Sequence, residues 1–141
     1  MKRMFAVSVL MAGALTIGCA SRSLTAQPLP VDRVECARCR MLISNDRTGG
    51  QIVSASEDVR FYDDIGCLAA DWRTHHEGAR AFVRIDGEWV EADSLAFAQP
   101  LNARTAMGSG IEAFAAPDAA RAADRDGRAL TFSDLVRGDA R

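Results

Sequence analysis

Residues 36–41 read Cys-Ala-Arg-Cys-Arg-Met, two cysteines and a methionine within six positions. Sulfur at this spacing serves as a disulfide, a zinc knuckle, a haem attachment site or a seat for a softer metal. Covalent haem needs histidine directly after the second cysteine; position 40 is arginine, which excludes the usual c-type site. A thioredoxin-like redox pair opens a helix just after a buried strand, where the helix N-terminus stabilises the thiolate. Here the preceding residues are small, polar and proline-containing, which argues against that use. A Cys36–Cys39 disulfide would close a very small loop and leave Cys67 and Met41 without a role.

Two metal readings stay open. A structural zinc site takes four thiolate or imidazole ligands, and Cys36, Cys39, Cys67 and one of His75 or His76 would supply them. Cu(I) is softer and accepts two or three sulfur ligands, thioethers included, whereas zinc gains little from a thioether. Methionine is therefore the discriminating residue. Cys39 and Met41, two apart in a segment expected to be extended, are expected to face one side and close on one ion. Arg38 and Arg40 flank Cys39 and are expected to lower its thiol pKa. Met107 stands in the glycine-flanked stretch AMGSG, where a side chain is displayed rather than packed. Adjacent helical histidines point about 100° apart, so His75 and His76 read as a solvated helix end that suits the negative pole of the dipole.

Elements must hold these groups in place. QIVSAS and VRFYD read as a hairpin of short strands, and DDIGCLAADWRTHH as a helix capped by Asp63 or Asp64. Ile65, Leu68, Ala69 and Trp72 form its apolar face, which leaves Cys67 off that face, beside Asp63 and Asp71. ARAFVRIDGEWVEA is a second hairpin turning at Asp86-Gly87, DSLAFA a short capped helix and SGIEAFA a strand. PDAARAADRDG is a helix from Pro117 to Gly127, followed by a strand at ALTF and a short helix at SDLVR. The pattern predicts an α+β protein of two small ββαβ-like modules, residues 32–78 with the Cys-x-x-Cys-x-Met motif and 79–141 with the Met-Gly loop.

The N-terminus reads as an address. Lys2 and Arg3 precede the apolar run MFAVSVLMAGALTIG, an export signal. Cys19, after Gly18 and before Ala20 and Ser21, resembles the lipoprotein cleavage box, so residues 1–18 are expected to be a lipoprotein signal peptide and Cys19 the lipidated residue. Acyl chains on Cys19 would hold the protein on a membrane. Residues 19–31 then read as a flexible tether. Three thiols remain, an odd number in an oxidising compartment where pairing is the default. With 141 residues, 48% hydrophobic content and a net charge of −2, the chain can bury one ordinary core or two small ones, and it lacks the basic surface that nucleic acid selects.

Taken together, CARCRM, FYDDIGCL after a hairpin, and AMGSGIEAF in the second half resemble the NosL family of copper-binding lipoproteins. The resemblance covers essentially all of the chain after the signal. It implies two ββαβ-like units, and a non-enzymatic Cu(I) chaperone on the periplasmic or cell-surface side of a membrane. Such a carrier serves the assembly of the copper centres of nitrous oxide reductase, with a copper-accepting enzyme or its assembly complex as partner. It also implies Cys39, Met41 and Met107 as ligands, with Cys36 matching the first cysteine of the longer motif variant. Cys67 is a candidate third sulfur, and zinc a candidate for a second site. Two positions depart from the family pattern: Arg40 replaces the motif glycine, and Asp46 stands where many members carry histidine. A structural zinc or thiol-redox lipoprotein is the alternative function.

Overall fold

The computed structural model describes residues 24–139 other than 57. Its main layer is a four-stranded antiparallel sheet of order β2-β1-β3-β4, built from β1 (Gly50–Val53), β2 (Val59–Tyr62), β3 (Arg80–Ile85) and β4 (Glu88–Glu91). Helix α1 (Ile65–His75) follows β2 and packs on this sheet. The helix sits close because β1 opens with glycine: a Cβ at Gly50 would lie 2.6 Å from a Leu68 methyl carbon. Register places Gly50 opposite both Tyr62 and Val83, so these side chains share the helix-facing surface. There the Tyr62 hydroxyl donates to the Asp71 carboxylate of α1 at 2.6 Å, and Arg60 Nη2 reaches the same oxygen at 2.8 Å. Burial and the neighbouring carboxylate push the Tyr62 pKa up, while the hydroxyl and guanidinium hold Asp71 down.

A smaller sheet pairs β5 (Ala96–Ala98) with β6 (Glu112–Phe114), and α2 (Pro117–Ala123) packs on it. Leu130 bridges Phe97 on the other edge. The order β5, β6, α2, Leu130 around a central first strand repeats the order β1, β2, α1, β3, so both units follow a ββαβ plan. β5 alternates across its two faces: Ala96 and Ala98 cluster with Ala120, while Phe97 joins the main core beside Phe132. Helix α3 (Phe132–Arg137) closes the fold with a Thr131/Asp134 capping box at its start and left-handed Gly138 at its end. Its Phe132 ring meets Trp72 of α1 edge-on, 5.6 Å between centroids.

Both hairpins, α1, β6 and α3 match the sequence expectation. Other segments differ for identifiable reasons. DSLAFA is one 3₁₀ turn, Ala92–Ser94, followed by strand β5, because Phe97 gains a core position and a pairing partner on each side. The expected strand at ALTF shrinks to a single bridge, since Thr131 turns away to cap α3. Helix α2 ends at Ala123, with Asp124 as its C-cap, rather than running on to Gly127. β3 and β4, placed in the second module by the sequence, complete the sheet of the first.

Part of the expected tether is docked: buried Gln51 accepts from the Gln27 N–H at 2.8 Å and donates to its carbonyl at 3.0 Å, and Leu29 packs on the core. The signal peptide and Cys19 lie outside the described residues. Among the described residues no helix is long and apolar enough to cross a membrane.

Buried Asp124 organises the end of α2. It accepts from the N–H groups of Gln99 at 2.8 Å, Asp126 at 2.9 Å and Arg128 at 3.1 Å. These donors outweigh desolvation and hold its pKa down at about 2, against 3.8 for the free carboxyl. A depressed folded-state value stabilises the fold above pH 3.8, and the contribution is lost as pH falls through about 2. Asp124→Ala, which orphans these donors, is expected to cost about 1–3 kcal/mol in urea denaturation at neutral pH. The deficit should shrink as the wild type is titrated toward pH 2.

Candidate metal centre

Three chain segments converge beside the N-terminus of α1. The first is the cysteine turn. Around it a short ladder forms, with Ile43 N–H donating to Val34 O at 3.0 Å and Cys36 N–H to Met41 O at 2.8 Å; Glu35 bridges Leu42. The turn is completed by Arg40 N–H donating to Cys36 O at 2.9 Å, and it is pinned to the sheet by Ala37 N–H on Phe61 O at 2.8 Å. Arg40 adopts φ +67°, the left-handed conformation that glycine adopts without steric cost. The resembled motif carries glycine at this position. In this chain the arginine side chain pairs with Glu35 at 2.7 Å on the surface.

The second segment is the junction from β2 to α1, Tyr62-Asp63-Asp64-Ile65. Asp64 is the helix cap, its carboxylate accepting the Gly66 N–H at 2.6 Å. Asp63 instead faces the cysteines: the Cys39 thiol donates to it at 3.6 Å. The third is the first turn of α1, which supplies Cys67. The Sγ atoms of Cys36, Cys39 and Cys67 and a carboxylate oxygen of Asp63 all lie within 4.8 Å of one another.

The cluster brings together three of the five sulfur residues singled out by sequence, and it adds Asp63. The sequence offers that aspartate as a candidate helix cap and as a neighbour of Cys67, but not as a ligand. The signal was present in the doubled acid of FYDDIG: one carboxylate is consumed by the cap, which leaves its extended neighbour free to point elsewhere. Cys67 is not on an open side of α1. It is 7% exposed and belongs to the main core, because the cysteine turn covers that side of the helix. Cys36 is fully buried, and Cys39 is half-buried.

Met41 and Met107 are exposed at the surface, 49% and 47%. Met41 does not follow Cys39 in an extended run, because the left-handed Arg40 between them breaks the alternation. Its side chain borders a cavity of about 540 Å³ that Asp63, Asp64 and Arg104 also line. Met107 sits in the loop before β6, with its N–H bonded to Asp64 at 2.9 Å. Asp46 is exposed and outside the cluster. His75 Nδ1 turns to the Asp71 carbonyl at 3.1 Å, and His76 Nδ1 lies 3.0 Å from the Trp72 carbonyl.

Electrostatics within the cluster follow from shared protons. The facing thiol of Cys67, its Sγ within 4.8 Å of that of Cys36, favours the Cys36 thiolate and holds the Cys36 pKa well down, while the same interaction pushes that of Cys67 up. Cys39 is raised rather than lowered, contrary to the expectation from Arg38 and Arg40. Desolvation comes first, with the Cys36 and Asp63 charges adding to it, while Arg40 is engaged with Glu35. Desolvation, then the hydrogen bond and charge of Cys36, push Asp63 up to about 6. Three thiols and a carboxylate at this separation are a donor set suited to a soft cation, and binding one would release protons.

The fold is similar to that of a crystal structure described as the copper chaperone NosL from Shewanella denitrificans. The TM-score is 0.70 over 82% of this chain and 98% of that one, at 19% sequence identity. No protein-family model and no curated protein sequence matches the chain.

The raised Asp63 has a measurable consequence in metal-free protein. A folded-state value above the unfolded 3.8 contributes stability that is full below pH 3.8 and lost as pH rises through about 6. Asp63→Asn should flatten this part of the stability profile, so the wild type should lose more stability than the variant between those two pH values. Urea denaturation across the window checks it.

Proposed function

We propose that this protein is a Cu(I) carrier: a membrane-anchored, extracytoplasmic chaperone that delivers copper for the assembly of nitrous oxide reductase or a related copper enzyme. The observation that carries this reading is the convergence of three thiols from two separate chain segments within 4.8 Å, on a fold shared with a copper chaperone. Cu(I) is the cargo and not a resident cofactor. Thiolates of Cys36, Cys39 and Cys67 suit its softness, and the half-exposed thioethers of Met41 and Met107 offer further soft donors toward solvent.

The proposed transfer is ligand exchange. Cys39 is the most accessible thiol of the three, so a partner's cysteine, methionine or histidine would displace it first, before the buried Cys36 and Cys67 let go. The ion passes from one ligand set to the other without being released free. Lipidation at Cys19 would keep the carrier beside membrane-bound partners and raise its effective concentration there. Because the chain is docked from Gln27 onward, the eight residues beyond Cys19 would let the body stand off by at most about 28 Å.

A second reading rests on Asp63. Three thiolates and one carboxylate also make a closed tetrahedral zinc set, and a hard oxygen ligand favours zinc over Cu(I). Methionine separates the two. Anaerobic titration of the purified protein against a chromophoric chelator is expected to give tight binding of about one Cu(I). Cys39→Ser and Cys67→Ser should each weaken it by more than the roughly 10–100-fold typical of losing an outer-shell partner. Met41→Ala should weaken Cu(I) but leave Zn(II) binding unchanged. Tight Zn(II) binding with Cu(I) affinity indifferent to Met41 would favour the structural zinc site.

A further inference from the structure

Resting on the carrier reading above, we propose that Asp64 is a positioning residue of the metal centre, its carboxylate clasping the Met107 loop onto the first turn of the helix that carries Cys67.

Asp64 is 2% exposed, and its two oxygens have separate tasks. Oδ1 accepts the Gly66 N–H at 2.6 Å, which is an ordinary helix cap. Oδ2 accepts the Met107 N–H at 2.9 Å, across 43 residues of sequence. A cap alone requires one oxygen, and serine or asparagine serves as well. The second oxygen is committed to a different segment altogether.

The loop is built to be held there. Gly110 N–H donates to Thr105 Oγ1 at 3.1 Å, and Gln99 Nε2 donates to the Ser109 carbonyl at 3.0 Å. Ser109 presses on α1 where the helix has no side chain: a Cβ at Gly66 would stand 2.7 Å from that of Ser109. The first turn of α1 therefore carries Cys67 on the side of the cysteine turn and receives the Met107 loop on another. Asp63, one residue before the clasp, faces the thiols. One dipeptide thus ties the methionine loop and the thiol cluster to the same helix end.

Asparagine separates cap from clasp. Asp64→Asn keeps one acceptor oxygen for Gly66 but turns an NH2 donor against the Met107 N–H. Two measurements on the purified protein test the proposal. In metal-free protein, hydrogen exchange at the Met107 amide should accelerate about tenfold or more in Asp64→Asn while Gly66 keeps its protection. In Cu(I) competition titrations, Asp64→Asn should lower affinity by the same factor as Met107→Ala, about tenfold, and the double variant should be no weaker than Met107→Ala alone. A mere loss of negative charge or of stability would persist in the Met107→Ala background, so additive losses overturn the proposal. Unchanged exchange at Met107 in Asp64→Asn overturns it as well, even if copper binds. A wild type that binds no Cu(I) defeats the carrier reading and with it the ligand role of Met107, whereas the exchange measurement reports on the clasp independently.

Discussion

Two carboxylates in a row at the end of a strand cannot point the same way, and the arrangement of this molecule around its thiol cluster depends on that. Asp64, extended at φ −141° and ψ 134°, turns inward to cap α1, so Asp63 is left facing the cysteine turn. Each partner is then anchored by regular structure. The turn hangs from β2 through the Ala37–Phe61 hydrogen bond, and α1 is seated on the sheet by the missing side chain of Gly50. Irregular segments seldom hold three thiols and a carboxylate within a few ångströms. Here they do so because every segment leaves or enters a hydrogen-bonded element within a few residues of its ligand.

Local pattern was legible wherever alternation or capping decided the outcome. The hairpins at 50–62 and 80–91, the start of α1 at an aspartate and a short helix at the position of α3 are read directly from residue types, although the Thr131 cap of α3 is not. What escaped was set by tertiary pairing. DSLAFA has the composition of a capped helix, but Phe97 is worth more between Ala113 and Leu130, inside the core, than on the surface of a lone turn. The division of the chain after residue 78 followed the repeated pattern of elements, yet β1 pairs with β3 on its free edge. At the site, the spacing of Cys36, Cys39 and Met41 pointed to gathered sulfur, but in an extended segment, whereas the left-handed Arg40 makes it a turn. The inward course of Cys67 was hidden, because a helical wheel drawn from α1 alone cannot know that the cysteine turn covers its polar-looking side. Asp63 was concealed by its own neighbour, since either acid could have been the cap.

Arg40 illustrates how a turn can keep its geometry without its usual residue. Left-handed backbone costs a residue with a Cβ roughly 1–2 kcal/mol, and an exposed ion pair such as that with Glu35 returns at most about 1 kcal/mol. The conformation is maintained by its surroundings: hydrogen bonds at Cys36, Arg40 and Ile43 close the turn on both sides, and Ala37 fixes its apex to β2. The expectation that Arg38 and Arg40 would acidify Cys39 failed for a related reason. With Arg40 turned outward to Glu35, what Cys39 experiences is burial and the negative charge of Cys36 and Asp63.

The sulfur groups are graded by exposure, from Cys36 and Cys67 inside, through the half-buried Cys39, to the thioethers of Met41 and Met107 near the surface. A site meant only to staple the fold gains from closing all of its ligands away from water, since access serves no purpose once the ion is in place. Keeping one thiol reachable and leaving two large apolar thioethers in solvent gives up burial that a core would otherwise collect, at about 25 cal/mol per Å². On the carrier reading the gradient has a use: inner thiols supply retention, and the outer thiol supplies the point at which an incoming ligand begins exchange. All three thiols contribute affinity on this reading, and the accessible Cys39 additionally sets where transfer begins.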